Sequence, residues 1–151
     1  MRHLCDSNVF VALTVQAHSA HNTALGWMRT LVVEDTLGFC RMSEMSFLRL
    51  LTQKIAEGYR PVKNEEAVEK LKQWKATAFI EVCAEPEEME ADWLRLAGVG
   101  LAAPKRWMDA YLAVFAMRAG MRLVTLDGDF EKFKAEGLDV LMLRAKASGR
   151  G

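Results

Sequence analysis

DAYLAVFAMRAGMRLVTLDGDF, Asp109 to Phe130, joins three patterns in one stretch. Apolar residues recur at helical spacing as far as Ala119. Gly120 then supplies a helix stop. MRLVTL, Met121 to Leu126, reads as a strand, and Asp127 follows it at once. A helix that feeds a strand ending on a carboxylate belongs to an α/β protein, where ligands bind at the carboxyl ends of strands.

Working outward, the same alternation recurs. His3 to Cys5 reads as a first strand, with Asp6 directly after it and a helix through Asn8 to Leu13 capped by Asp6 or Ser7. Asn22 is the expected N-cap of a second helix, with Ala24, Leu25, Met28, Leu31 and Val32 on its apolar side. Leu37 to Cys40 is a second strand, and Ser43 opens the helix SEMSFLRLLTQ. Asn64 caps a helix bearing Ala67, Val68, Leu71 and Trp74, and Ala78 to Cys83 is a third strand. A helix starting at Pro86 carries an acid run that suits its dipole. Pro104 sits in the first turn of the helix that ends at Gly120. After Asp127 come a helical turn around Phe130 to Lys134 and a fifth strand, Leu138 to Leu143. The reading is one α/β domain over residues 1–144 with a mainly parallel sheet, and 145–151 as a disordered tail.

Composition narrows the function. The 151 residues are 51% hydrophobic, enough for one sizeable core. Lys+Arg and Asp+Glu are 20 each, so no global positive field draws the chain to nucleic acid. Such a contact needs a local basic patch or a bound cation. Cys5, Cys40 and Cys83 are odd in number and form no CxxC, so they read as reduced core residues. Asp6 interrupts any signal-peptide apolar region, and no apolar run approaches the ~20 residues of a membrane span. A cytoplasmic protein is expected.

Asp6 and Asp127 come from distant sequence yet each directly follows a strand. Glu44 lies in a first helical turn, and Asp109 inside an otherwise apolar helix. Each acid alone has a plain reading: Asp6 a cap, Glu44 a dipole-favoured surface acid, Asp109 a solvated helix start, Asp127 a turn residue. The set is more specific than its members.

DSNVFVAL after an apolar strand, SEMSFLRLLT mid-chain and Asp109 to Phe130 together resemble the PIN-domain family, closest to its small bacterial ribonuclease toxins of the VapC type. The motifs span nearly the whole chain. The resemblance implies a three-layer α/β/α fold with a parallel five-stranded sheet of order 3-2-1-4-5. It implies a magnesium- or manganese-dependent endoribonuclease, the toxin of a toxin–antitoxin system, held in check by a cognate antitoxin and typically a homodimer. Asp6, Glu44, Asp109 and Asp127 match the family's catalytic and metal-binding acids. Ser7 stands where Thr is frequent, Asn8 matches the family Asn, Thr125 the hydroxyl of its TxD strand end, and Asp129 an outer acid.

The chemistry agrees. If strands one and four are neighbours, Asp6 and Asp127 project from points roughly 5 Å apart. Carboxylates that close repel, or one takes a proton. A divalent cation with oxygen ligands resolves the conflict. Arg41, Arg49, Lys105, Arg106 and Arg122 are candidates to hold RNA phosphates, against ordinary solvated charge, with Lys105 and Arg106 first. Trp107 either stacks on an unpaired base of an RNA loop or packs in the core. His18 and His21 read as solvated or capping rather than zinc ligands, for want of a third ligand at suitable spacing.

Rival readings fare worse. A receiver-like signalling domain needs a Lys after its last strand, and none follows LDVLML. A haloacid-dehalogenase-like phosphatase needs DxD, and Asn8 replaces the second acid. An inactive PIN fold that binds RNA or protein keeps no need for intact acids; RNA cleavage separates it from the enzyme.

Overall fold

Residues 1–145 are described by a computed structural model. Its elements are β1 (Arg2–Cys5), α1 (Ser7–Thr14), α2 (His21–Met28), β2 (Thr36–Cys40), α3 (Arg41–Leu51), α4 (Asn64–Lys75), β3 (Ile80–Cys83), α5 (Glu90–Ala97), α6 (Arg106–Ala119), β4 (Arg122–Thr125), a 3₁₀ segment (Gly128–Glu136) and β5 (Val140–Met142). The strands form one sheet in the order β3-β2-β1-β4-β5, every pairing parallel, as expected. The tail expected over 145–151 lies outside the described residues from Lys146 on.

Successive strand residues face opposite sides of a sheet. Leu4 and Leu123 accordingly join one core layer, with α5, α6 and the 3₁₀ segment, while Cys5 and Val124 join the other. That second layer includes Val9, Phe10, Phe47, Leu51 and Ala67 from α1, α3 and α4. At its centre Phe10 stacks on Phe39 at 3.7 Å between ring centroids. The central strands are covered on both faces, which is why they read as apolar runs.

The stop at Gly120 works as read, and several helix starts or ends do not. Gly120 adopts the left-handed conformation (φ 64°), and the Met121 N–H closes back on Ala116 O at 2.9 Å. This stop aims β4 into the sheet beside β1. Pro104 lies in the turn ahead of α6, which starts at Arg106, rather than in the helix's first turn. Helix α3 begins at Arg41 rather than Ser43, because the Ser43 hydroxyl, three residues in, accepts the Cys40 N–H at 3.0 Å. Helix α2 starts at His21, after Ala20, and ends at Met28. Local turn chemistry ends it: Thr30 Oγ1 donates to Trp27 O at 2.6 Å, and Asp35 Oδ2 accepts the Val32 N–H at 2.9 Å. Val32 is therefore 61% exposed. Helix α5 begins at Glu90, not Pro86, because Glu88 has φ 58°, which breaks a right-handed helical path.

The chain switches direction along the sheet between β1 and β4. A ligand crevice in such sheets opens at this point, beyond the carboxyl ends of the strands. Asp6 follows β1 there, and Asp127 lies two residues beyond the end of β4. Helix α6 runs back to the amino end of β4, so its first turn, with Asp109, is at the same edge.

Candidate active site

Asp6 occupies the N-cap position of α1, yet its side chain makes no capping hydrogen bond. It turns toward the neighbouring strand instead. Thr125 Oγ1 donates to Asp6 Oδ2 at 2.9 Å, and the same hydroxyl accepts the Asp127 N–H at 3.0 Å. The Asp6 N–H donates to Val124 O at 2.9 Å, locking this residue to the end of β4. Thr125 is fully buried, so one hydroxyl fixes both acids across the switch point.

Burial pushes the Asp6 carboxyl up to about 6, and the charges of Asp109 and Asp127 add to it. Thr125 opposes the rise by bonding the ionised form. Asp109, 7% exposed, is also raised, by burial first and by Asp127 and Asp129 further, against Lys105. Asp127 goes the other way. Burial raises it, but the Lys105 ammonium and the Asp129 N–H (2.9 Å to Oδ1) outweigh burial and hold it below its ordinary value.

Lys105, ahead of α6, bonds Asp127 and reaches Asp129 Oδ2 at 3.1 Å and Asp109 Oδ2 at 3.9 Å. Its pKa is raised, first by the hydrogen bond to Asp127. Asp6, Asp109 and Asp127 thus form one coupled group, with Asp129 on its exposed side. Ser7 Oγ is 3.5 Å from Asp6 Oδ1. Asn8 Oδ1 is buried and accepts no hydrogen bond.

Glu44 has partners of its own. It is 2% exposed and held by two cations. Arg41 Nη1 donates to Oε2 at 2.7 Å, and Lys75 Nζ lies 2.7 Å from Oε1, off the line of a hydrogen bond. Lys75 gave no sequence signal beyond a basic last turn on α4. Its pairing spans distant sequence, and only the packing of α3 against α4 creates it.

The other basic candidates separate clearly. Arg106 turns from the acids: Nε donates to Leu96 O at 2.8 Å, and the guanidinium lies 5.3 Å from the Phe133 ring centre. It ties α5 and the 3₁₀ segment to α6. Arg122 begins β4, roughly 10 Å of strand from Thr125, and pairs with Asp139 at 3.0 Å. Arg49 is in the last turn of α3, roughly 12 Å along the axis from Arg41. Trp107 is 48% exposed rather than core-packed, because it borders the groove of Ala97 to Pro104. His18 Nδ1 accepts the Ala20 N–H at 3.0 Å, and His21 Nδ1 lies 2.7 Å from Ala12 O. Both make local turn and helix-end contacts.

The donor set at the switch point is all oxygen, which suits a hard cation such as magnesium or manganese. Two observations fit such an ion. Asn8 presents an orphaned buried acceptor, and an ammonium already sits among the carboxylates. Among the described residues, no three Asp, Glu, His or Cys side chains converge closely enough to grip a metal as they stand. Magnesium keeps several of its waters, so it does not demand that closure.

The chain matches the family described as PIN domain over residues 4–136. It is 39% identical over 140 residues to ribonuclease VapC41 of Mycobacterium tuberculosis, covering 86% of this chain and 92% of that protein. Its fold superposes with a TM-score of 0.64 on VapBC2 from Rickettsia felis bound to a promoter DNA fragment, at 15% identity over 95% of this chain and 100% of that one. It also superposes with a TM-score of 0.61 on VapC20 of Mycobacterium tuberculosis, a sarcin-ricin loop cleaving toxin, at 15% identity over 90% and 95%. The last two likenesses concern the fold.

Proposed function

The chain belongs to the PIN-domain family, among its VapC-type ribonucleases, and on that premise we propose a divalent-metal-dependent endoribonuclease, the toxin of a toxin–antitoxin pair. One observation carries the reading. Asp6, Asp109 and Asp127 are electrostatically coupled at the sheet's switch point, where burial first and the charges of Asp109 and Asp127 second raise Asp6 to about 6, a cost that a cation would relieve.

Asp6, Asp109 and Asp127 would hold the ion, with Glu44, Ser7, Asn8, Thr125 and Asp129 in support. When bound, it supplies Lewis acidity toward a phosphate and a water, and the positive charge that a chain of zero net charge lacks. Asp6 is ionised above about pH 6 and can then serve as a ligand. The Thr125 hydroxyl keeps its carboxylate in one orientation. Arg41, 78% exposed at its side chain, and Lys105 border the acids and can receive flanking phosphates. The substrate is RNA with an accessible single-stranded loop, where unpaired bases can be stacked and read; half-exposed Trp107 is placed to stack.

Brief expression in bacterial cells followed by sequencing of RNA 5′ ends tests the reading. A small set of new ends is expected, absent when Asp6→Asn replaces the wild type. Unchanged RNA ends would remove the nuclease reading. The antitoxin, read in from the family, would place an Arg or Lys among the same acids and so block cleavage. The setting is cytoplasmic; among the described residues no helix is long and apolar enough to cross a membrane. A second copy is expected to cover exposed apolar side chains such as Val33 and Leu101. Light scattering should give twice the 17.0 kDa of one chain, and a single-chain mass at tens of micromolar would count against the pair.

A further inference from the structure

We propose that Lys105 is a resident counter-cation of the acidic site, which competes with the divalent ion and must leave before the ion can bind. The inference rests on the reading of Asp6, Asp109 and Asp127 as a cation site.

A lysine on one surface carboxylate is ordinary and contributes little. Lys105 differs in what it joins. Its ammonium contacts Asp127 just beyond β4, Asp129 in the 3₁₀ segment (3.1 Å) and Asp109 in the first turn of α6 (3.9 Å). Two segments, the first turn of α6 and the start of the 3₁₀ segment, thus converge on one charge, which sits among three carboxylates that repel one another. Neighbouring cations are committed elsewhere. Arg106 faces Leu96 O and the Phe133 ring, and Arg41 and Lys75 hold Glu44. Lys132 acts on Asp109 and Asp127 through space only, with its ammonium 5.3 Å from the Phe133 ring centre.

Lys105 is also free to go. Its side chain is 61% exposed on a flexible four-carbon stem, so the ammonium can swing out without disturbing α6. A divalent ion drawn to the same oxygens meets both a like charge and a competitor for ligands. Its affinity is therefore lower than the acids alone would give. Once the ion is in place, the displaced ammonium lies beside the site with no carboxylate to hold it, ready for a substrate phosphate. Metal arrival and phosphate binding are coupled through one side chain.

The test compares wild type, Lys105→Met, Lys105→Arg and Lys132→Met, each stripped with EDTA, dialysed and titrated with manganese chloride by calorimetry, beside melting curves with and without manganese. Lys105→Met should bind manganese about tenfold more tightly, since a unit charge within ~4 Å is removed in partly screened surroundings. Its melting point in EDTA should fall, and its manganese-induced rise should exceed that of the wild type. Lys105→Arg and Lys132→Met should stay near the wild type. Lys105→Gln repeats the charge removal if Lys105→Met folds poorly. Equal or weaker manganese affinity in Lys105→Met, or an equal gain in Lys132→Met, would overturn the counter-cation role and leave the cation site standing. No manganese binding to any of the proteins would overturn both.

Discussion

Asp6→Asn should lower RNA cleavage by roughly 10²–10³-fold or more while leaving the fold intact, because on the proposed reading Asp6 is a ligand of a cation that contributes several kcal/mol. Asn has almost the shape of Asp and can still accept the Thr125 hydroxyl, so the packing at the β1–β4 junction survives. The same substitution should stabilise the metal-free protein. In the folded chain Asp6 holds its proton up to about pH 6, against an ordinary value near 4. Its contribution to stability is fully present below about pH 4 and is lost as pH rises through 6. At pH 8 the ionised, buried carboxylate therefore costs roughly 1–3 kcal/mol. Asp6→Asn removes that cost, and the melting point in EDTA at pH 8 should rise by roughly 2–10 °C. The gain should shrink toward zero as the buffer approaches pH 4. RNA cleavage assays and melting curves across pH check both halves. A folded variant that cuts at the wild-type rate would reduce Asp6 to a helix-start residue.

Stability and activity moving in opposite directions is what separates the site from a cap. Asn caps a helix about as well as Asp, so a capping role predicts almost no change in either. The missing cap bond in α1 already leans against that role.

Much of this was legible in the residues. Each of the five strands was marked by a short apolar run, and Gly120 marked the end of α6 because its left-handed backbone favours glycine. The strand order came from the family resemblance rather than from periodicity, which cannot say which strands are neighbours. Asp6 and Asp127 stand out in the sequence because each comes at or just after the end of a strand, and Asp109 because it interrupts an apolar helix face. What stayed hidden depends on packing between distant segments. Lys105 joining three acids, Lys75 reaching Glu44 and Arg106 turning to Phe133 are set by how α4, α6 and the 3₁₀ segment lie on the sheet. The early end of α2 was missed for a local reason: the Thr30 and Asp35 side chains bond the backbone and override a continuing apolar period.

Chelation should have an effect as large as Asp6→Asn. Wild-type protein in EDTA is expected to lose RNA cleavage, and magnesium or manganese in excess over the chelator should restore it. The argument is electrostatic. Without a divalent ion the switch point presents Asp6, Asp109, Asp127 and Asp129 to a polyanion, with one lysine among them. A phosphate entering that field is repelled unless positive charge arrives with it. On the proposed reading the ion would bind only the folded chain, so at a hundredfold excess over its dissociation constant it should add about 2.7 kcal/mol. For a chain of this size that raises the melting point by roughly 5–10 °C. Acid should undo the effect in a defined window. Asp6 must give up its proton to bind the ion, so affinity should fall roughly tenfold per pH unit below about 6 and level off above it. The flat region above 6 matters as much as the slope, because an ordinary exposed carboxylate would place the break near 4. Calorimetric titrations with manganese from pH 5 to 8 read the break directly. Undiminished cleavage by fully chelated protein would end the metal-dependent reading, and a break near pH 4 would mean either that burial does not raise Asp6 or that Asp6 is not among the ligands.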